Sequence, residues 1–234
     1  MGILYAVATP IGNLEDTTLR SIRILFESKV IACEDTRHTG NLLKMLEDRY
    51  SGIFNFQFSI FKPKKYISIR DFNEAQIIDK IIFELQTNDV ALVSDAGTPL
   101  ISDPGFKLVR RCKELNIQVI PIPGANAAIT ALSASGLPTN KFTFLGFLSK
   151  KWEIREEETT IIYESPMRIE KTIQLIKDRY PGAQIVLAHE LTKIHEKIWN
   201  LGFEDWKLQI PHKGEFVILV YRPADSSQSY RLAN

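Results

Sequence analysis

The run VALVSDAGTPLISDPGFK, residues 90–107, narrows the choice of fold more than any other part of the chain. It opens with Val90 to Val93, an apolar stretch too short for a helix and bounded by turn formers, which reads as a buried strand. Polarity switches at Ser94-Asp95. Ala96-Gly97-Thr98-Pro99 then supplies small side chains, a residue free to take positive φ and a fixed turn, so a ligand can approach bare backbone. Ser102-Asp103-Pro104-Gly105 leads into the amphipathic run Phe106 to Leu115. Strand, polar glycine-rich loop, helix: open α/β sheets build ligand crevices this way, at the carboxyl ends of their strands. A plain βα connection takes about 2 to 6 residues, whereas roughly a dozen separate strand from helix here. Two aspartates sit among them, which weighs for a ligand site.

The same unit recurs upstream. Ile3 to Ala8 reads as a strand followed by Thr9-Pro10-Ile11-Gly12-Asn13-Leu14, and Asp16 or Thr17 is placed to cap a helix carrying Leu19, Ile22, Leu25 and Phe26. Lys29 to Cys33 makes a short strand ending in Glu34-Asp35-Thr36-Arg37-His38-Thr39-Gly40, a crowd of polar side chains. That crowd suits a helix start capped by Asp35 or Thr39, and equally a site. Residues 51–70, SGIFNFQFSIFKPKKYISIR, mix aromatic and basic side chains. They read as a strand and solvated loop, with a grip on single-stranded nucleic acid as the alternative. Arg70 to Gln86 is expected to be helical, with Ile77, Ile78, Ile81, Ile82 and Leu85 on one face.

Gln118 to Ile122 is a further strand, and Ala127 to Ala134 a helix of small residues broken by Gly136-Leu137-Pro138. Strands are expected at Thr143 to Phe147, Thr160 to Tyr163, Gln184 to His189 and Phe216 to Tyr221. Ser165-Pro166 looks like a helix opening for Ile169 to Ile176. The expected division falls near Asn116, giving lobes at residues 1–115 and 116–223, with a frayed tail at 224–234.

Composition removes several function classes. Twenty-nine Lys and Arg against twenty-eight Asp and Glu leave a formal charge of +1, so nothing general points to nucleic acid or an anionic membrane. Cys33 and Cys112 suffice for neither a metal site nor a disulfide framework. MGILYAVATP lacks a basic leader region, and no apolar run approaches the ~20 residues of a membrane span. A cytoplasmic protein without membrane attachment is expected. His189-Glu190 and His195-Glu196 are six residues apart, not the four of a zinc helix, so no metal is expected. Cys33 reads as a core thiol. Neither G-x-S-x-G, G-x-G-x-x-G nor a P-loop occurs. What remains is a set of polar clusters at strand ends, around Asp35, Asp95, Glu164, Glu190 and Lys213-Gly214-Glu215. The residues by themselves describe an α/β enzyme with a loop-lined cleft.

Seven blocks, ATPIGNLEDTTLR, ACEDTRHTGNLL, ALVSDAGTPLISDPG, PIPGANAAITALSASGLPT, IIYESPMR, ELTKIHE and KGEF, follow one another along nearly the whole chain. In content and order they resemble the ribosomal RNA small subunit methyltransferase I family of the tetrapyrrole methylase superfamily. The resemblance implies a two-lobed α/β methylase with S-adenosylmethionine in a cleft between lobes, and a homodimer. It implies 2′-O-methylation of a cytidine ribose in the decoding region of 16S rRNA, so the partner is that RNA or the small ribosomal subunit. Pro10, Asp95, Ala96, Gly97, Thr98, Ile101, Ser102, Ala127, Tyr163, Ala188 and Gly214 would surround the cofactor. Glu34, Asp35 and Arg37 would face the substrate.

A ribose hydroxyl is a poor nucleophile at neutral pH and must be aligned with the methyl carbon while its proton leaves. On this resemblance Asp35 or Glu190 would accept that proton, and Arg37 and Lys193 would hold phosphate or ribose. The chain departs from the family pattern in FSIFKPKKYISIRDFNE, in His189 where arginine is usual, and in a short segment between Gly146 and Ile161. It also lacks the carboxyl-terminal extension of longer members. The alternatives are a methylase of a small tetrapyrrole and a non-catalytic ribosome-binding protein that keeps the fold.

Overall fold

The computed structural model describes residues 1–52, 64–70, 74–202 and 210–224. The chain forms two compact units, Met1–Asn126 and Ala127–Asn234. In the first, β1 (Leu4–Val7), β2 (Val30–Cys33), β3 (Lys65–Ser68), β4 (Val90–Leu92) and β5 (Val119–Ile122) pair in parallel in the order β3-β2-β4-β1-β5. The division expected near Asn116 precedes β5. In the structure β5 pairs with β1 from Leu4 opposite Val119 to Val7 opposite Ile122, so the first unit runs one strand further, to Asn126. Composition does not change at that point, and strand pairing is invisible to a local reading.

Successive side chains alternate between the two faces of this sheet. Val7, Ile31, Cys33, Ala91 and Val93 pack under α1 (Leu19–Glu27) and α2 (Thr36–Tyr50). Leu4, Val30, Ala32, Val90 and Leu92 pack under α3 (Glu74–Glu84) and α4 (Phe106–Glu114). Both faces are covered, so the central strands β2 and β4 are apolar and buried throughout, and each fully buried Leu or Ile contributes about 1.5–3 kcal/mol. Cys33 and Cys112 are free and buried in these layers, as expected of core thiols.

Local chemistry sets the helix ends. Asp16 and Thr17 do not cap α1: Leu14–Asp16 is a separate 3-10 turn capped by Asn13, and Thr18 caps α1, accepting from Ser21 N–H at 3.0 Å. At the other end of α1, Lys64 Nζ donates to the carbonyls of Leu25, Phe26 and Ser28, each at 2.9 Å. A cation there meets the negative end of the helix dipole and satisfies carbonyls that lack a partner within the helix. The aromatic and basic stretch read in the sequence lies largely at 53–63, outside the described residues, as does the tail beyond Ala224.

The layering fixes where a ligand crevice opens. After β1 the chain passes to α1 on one face, and after the adjacent β4 it passes to α4 on the other. Neighbouring parallel strands whose connections leave to opposite faces part at their carboxyl ends, which is the switch point of doubly wound sheets.

The second unit holds α5 (Ala127–Ala134), β6 (Phe142–Phe147), β7 (Thr159–Glu164), α6 (Ile169–Arg179), β8 (Gln184–His189), β9 (Lys197–Asn200) and β10 (Phe216–Tyr221). The sheet order is β6-β7-β10-β8-β9, parallel between β6 and β7 and antiparallel elsewhere. Ile162, Ile169, Ile173, Ile176, Leu187 and Ile218 form its core. The sequence reading missed β9, a four-residue edge strand without a fully buried residue, so it shows no apolar alternation. Helix α6 starts at Ile169 rather than directly at Ser165-Pro166; the Ser165 carbonyl accepts from the amides of Arg168 and Ile169. No helix among the described residues is long and apolar enough to cross a membrane.

Candidate active site

At the switch point the loops after β1 and β4 are tied together backbone to backbone. Thr9 N–H donates to the Gly97 carbonyl at 2.9 Å, and Gly97 N–H donates to the Thr9 carbonyl at 3.2 Å. Thr9 Oγ1 donates to the Ser94 carbonyl, Ser94 Oγ to the Ala96 carbonyl, and Thr98 Oγ1 to Ala125 O at 3.0 Å. The loop is thus held from three sides. It needs this support because Leu100 (φ 73°) and Ser102 (φ 69°) take left-handed conformations that L side chains avoid. Gly97, at φ 83°, supplies the same geometry without that cost, and a Cβ there would press on Ile11 at 3.2 Å. Ala96, Ile101 and Ser102 are exposed and Asp95 and Thr98 are partly so, leaving the loop's outer surface open.

Next to it lies the Glu34-Asp35 turn. Asp35 N–H donates to Asp95 Oδ1 at 3.1 Å. Asp35 Oδ1 in turn accepts from Arg37 N–H at 2.7 Å and His38 N–H at 3.1 Å, so Asp35 is the N-cap of α2. These amides, His38 first and then Arg37, hold the Asp35 carboxyl below its usual value, aided by Arg70. The Arg70 guanidinium lies 3.9 Å from Asp35 Oδ2, and its Nε donates to the Glu34 carbonyl at 3.2 Å, which also accepts from Ser68 Oγ. Burial raises the Cys33 thiol, and the Asp95 and Asp35 carboxylates add to the shift, so this cysteine is a poor nucleophile.

Residues 3–205 match the tetrapyrrole (corrin/porphyrin) methylases. Relatives named ribosomal RNA small subunit methyltransferase I include those of Haemophilus influenzae, 44% identical over 94% of this chain and 78% of the relative, and Escherichia coli O157:H7, 41% identical over 94% and 77%. That of Hydrogenobaculum sp. is 45% identical over 93% of this chain and 94% of its own length. The chain belongs to the ribosomal RNA small subunit methyltransferase I family of tetrapyrrole methylases. Solved structures agree on the fold. Uroporphyrin-III C-methyltransferase from Thermus thermophilus superposes with a TM-score of 0.63 at 16% identity, covering 94% of each chain. A cobalt precorrin-4 methyltransferase gives 0.60 at 14%, covering 93% of this chain and 94% of its own.

The second unit of this methylase carries two further clusters. Tyr163, at the end of β7, accepts from Ala128 N–H at 3.1 Å, linking the first turn of α5 to the sheet, and packs edge-on against Phe144 with ring centroids 4.9 Å apart. The following residue, Glu164, is buried, and its carboxylate accepts from Ser165 N–H at 2.8 Å, Arg168 Nε at 2.9 Å and Thr172 Oγ1 at 2.7 Å. It locks the β7–α6 connection.

At the far end of β8, Glu190 takes φ 50° and Thr192 φ 65°, giving a tight turn. Glu190 Oε1 accepts from Glu215 N–H at 2.9 Å and from Lys193 Nζ at 3.0 Å, while Lys193 also reaches Glu215 Oε2 at 2.9 Å. Burial works to raise the Glu190 carboxyl, but the Glu215 amide and the Lys193 ammonium outweigh it and hold it below its usual value. His189 Nε2 meets the Lys213 carbonyl at 2.9 Å, and its ring lies 4.6 Å from that of Phe216. A Cβ on Gly214 would fall 2.3 Å from His189 Nε2 and 3.0 Å from Glu190 Oε1. Ala188 is fully buried between β10 and β9 and presents no polar side chain.

The residues singled out in the sequence therefore gather in separate clusters. Pro10, Asp95, Ala96, Gly97, Thr98, Ile101 and Ser102 stand with Glu34, Asp35 and Arg37 at the carboxyl ends of the first sheet. Ala127 and Tyr163 form a second group through the neighbouring Ala128 amide, and Glu190, Lys193 and Gly214 a third. The parts played by Thr9 and Arg70 were missed: each acts through a partner far away in sequence, Thr9 through Gly97 and Arg70 through Glu34, and no local motif signals that. Among the described residues, no group of three or more His, Cys, Asp and Glu is placed to hold a metal ion.

Proposed function

We propose that this protein is a cytoplasmic, homodimeric methyltransferase that moves a methyl group from S-adenosylmethionine to the 2′-hydroxyl of a cytidine in the decoding region of 16S rRNA. The observation that carries the reading is the strapped loop at the switch point: small residues, outward backbone and the Asp95 carboxylate beside the ionised Asp35. This set fits a donor whose amino group and sulfonium are both positive, since carboxylates at a strand end attract cations and small side chains leave room for an adenine or ribose. The relatives named above support the choice of RNA over a small tetrapyrrole, for which the structural neighbours supply only fold.

When bound, the donor supplies an electrophilic methyl group on sulfur. The chain's residues do the rest. The loop from Asp95 to Ser102 orients the donor and, with Pro10, excludes water. In the second unit Ala127, Tyr163, Ala188 and Gly214 serve the donor through backbone groups and small contours. Asp35 and Glu190 are both held ionised, so either accepts a hydrogen bond from the ribose hydroxyl and aligns it. Neither carboxylate is tuned upward as strong general bases are, so proton departure is assisted rather than driven. Glu34 and Arg37 face the RNA. Lys193 keeps one of its three ammonium donors for a phosphate, the other two being held by Glu190 and Glu215.

The test is transfer of labelled methyl from S-adenosylmethionine to small subunits purified from cells lacking this chain, followed by mapping of 2′-O-methyl positions. One new ribose methyl in the decoding region is expected. Cofactor binding without product would support a non-catalytic protein, and transfer to a corrin precursor alone would support a tetrapyrrole methylase; either outcome overturns the proposal.

A further inference from the structure

Helix α4, FKLVRRCKE, leaves the Asp95 loop directly through Ser102-Asp103-Pro104-Gly105. Leu108 and Cys112 are fully buried on its inner side. With 3.6 residues per turn, Phe106, Arg110 and Lys113 fall within about 60° of one another on the opposite side. All three are exposed, Phe106 to 63%. Lys107 and Arg111 flank them, and Glu114 is the helix's one carboxylate, pairing with Arg110 at 3.3 Å and Arg111 at 3.2 Å. Four cations against one acid on nine residues stand out in a chain whose formal net charge is +1.

Charged helix faces are ordinarily just solvated. This one differs in setting a large aromatic side chain in water at the head of a cationic stripe, the pairing that holds single-stranded nucleic acid by stacking and phosphate contact. A second copy of the chain is a poor occupant, because a twofold contact would set these cations against themselves. A polyanion matches the charge, and the stripe runs straight out of the loop proposed to hold the methyl donor.

Resting on the function proposed above, we infer that α4 docks the RNA strand carrying the methylated ribose: Phe106 stacks on an unpaired base, and Arg110 and Lys113 neutralise adjacent phosphates. The test is filter binding of a labelled single-stranded RNA with the decoding-region sequence to the intact protein, between about 50 and 200 mM salt. Arg110→Gln with Lys113→Gln should bind about 10-fold more weakly at the lower salt, with a log–log salt slope shallower by about 1.4, or ~0.7 per lost phosphate contact. Phe106→Ala should lose about 10-fold at every salt with the slope unchanged, as loss of stacking does. Glu114→Gln should bind more tightly than the native protein. Cofactor affinity and melting temperature should stay constant throughout. Native affinity and slope in both weakened variants overturn the inference, as does sedimentation showing that they lose RNA only because a dimer has come apart. A native protein that methylates small subunits as well as all three variants do sinks the docking helix alone; one that neither binds RNA nor transfers methyl sinks the function.

Discussion

The backbone N–H of Asp35 donates to Oδ1 of Asp95 at 3.1 Å, so the carboxylate in the loop after β4 also fixes the first residue of α2. Asp95→Ala removes that acceptor together with a charge expected to face the donor, whereas Asp95→Asn keeps the acceptor alone. The alanine variant should lose about 1–3 kcal/mol of stability in urea titration. Calorimetry should show both variants binding S-adenosylmethionine at least about 10-fold more weakly, the asparagine variant from the lost charge alone, worth ~1.4 kcal/mol.

Asp35 and Glu190 have folded pKa values below their unfolded ones. Their stabilising contribution is complete above the ordinary carboxylate range near about pH 4, and is lost as pH falls through the lowered folded values. Stability should therefore be flat from neutrality down to about pH 5 and decline below it. Asp35→Asn with Glu190→Gln should remove part of that acid limb, as read by urea midpoints across pH.

Lys64 behaves in the opposite sense. Burial pushes its amine down to about 8, below the 10.5 of a free lysine. The folded protein releases a proton that the unfolded chain retains, so native stability should rise relative to Lys64→Met between about pH 8 and 10. At neutral pH the variant leaves the Leu25, Phe26 and Ser28 carbonyls without their donor and should cost about 1–3 kcal/mol in chemical denaturation.

Gly214 has φ 101°, and an added Cβ would collide with His189 and Glu190. Gly214→Ala should destabilise by about 2–4 kcal/mol, combining backbone strain with overpacking. Methyl transfer should fall with it, because the Glu190 carboxylate must move. Unchanged kinetics with an unchanged melting curve would contradict the close packing of Gly214 on His189 and Glu190.

The Glu164 carboxylate draws together Ser165, Arg168 and Thr172 in the β7–α6 connection. Glu164→Ala should cost about 3–5 kcal/mol, and Glu164→Gln less, since an amide retains one acceptor oxygen. Equilibrium unfolding decides between them.

Much of the first unit was legible because β1, β2 and β4 are apolar runs ending abruptly in turn residues, as at Val93-Ser94 and Cys33-Glu34, whereas β3, Lys65–Ser68, begins and ends in polar residues within a stretch that reads as solvated loop. Asp35 was legible as a cap because side-chain capping is local. What escaped depended on partners brought in by the fold. Nothing near Asn116 announces that β5 joins β1, and nothing near Lys193 announces that Glu215, 22 residues further on, joins the neighbouring Glu190 in holding its ammonium. The weak amphipathy of Lys197–Asn200 likewise hid an edge strand whose pairing supplies what its sequence does not.

The order β6-β7-β10-β8-β9 puts the last of the described strands at the centre of the second sheet. While the polypeptide is being made, β7 and β8 therefore wait with open inner edges until Phe216–Tyr221 emerges between them. The first unit can ripen on the nascent chain, but the second is sealed only at the close of synthesis, and a ribosome stalling before residue 216 releases a product with two unsatisfied strands poised to aggregate.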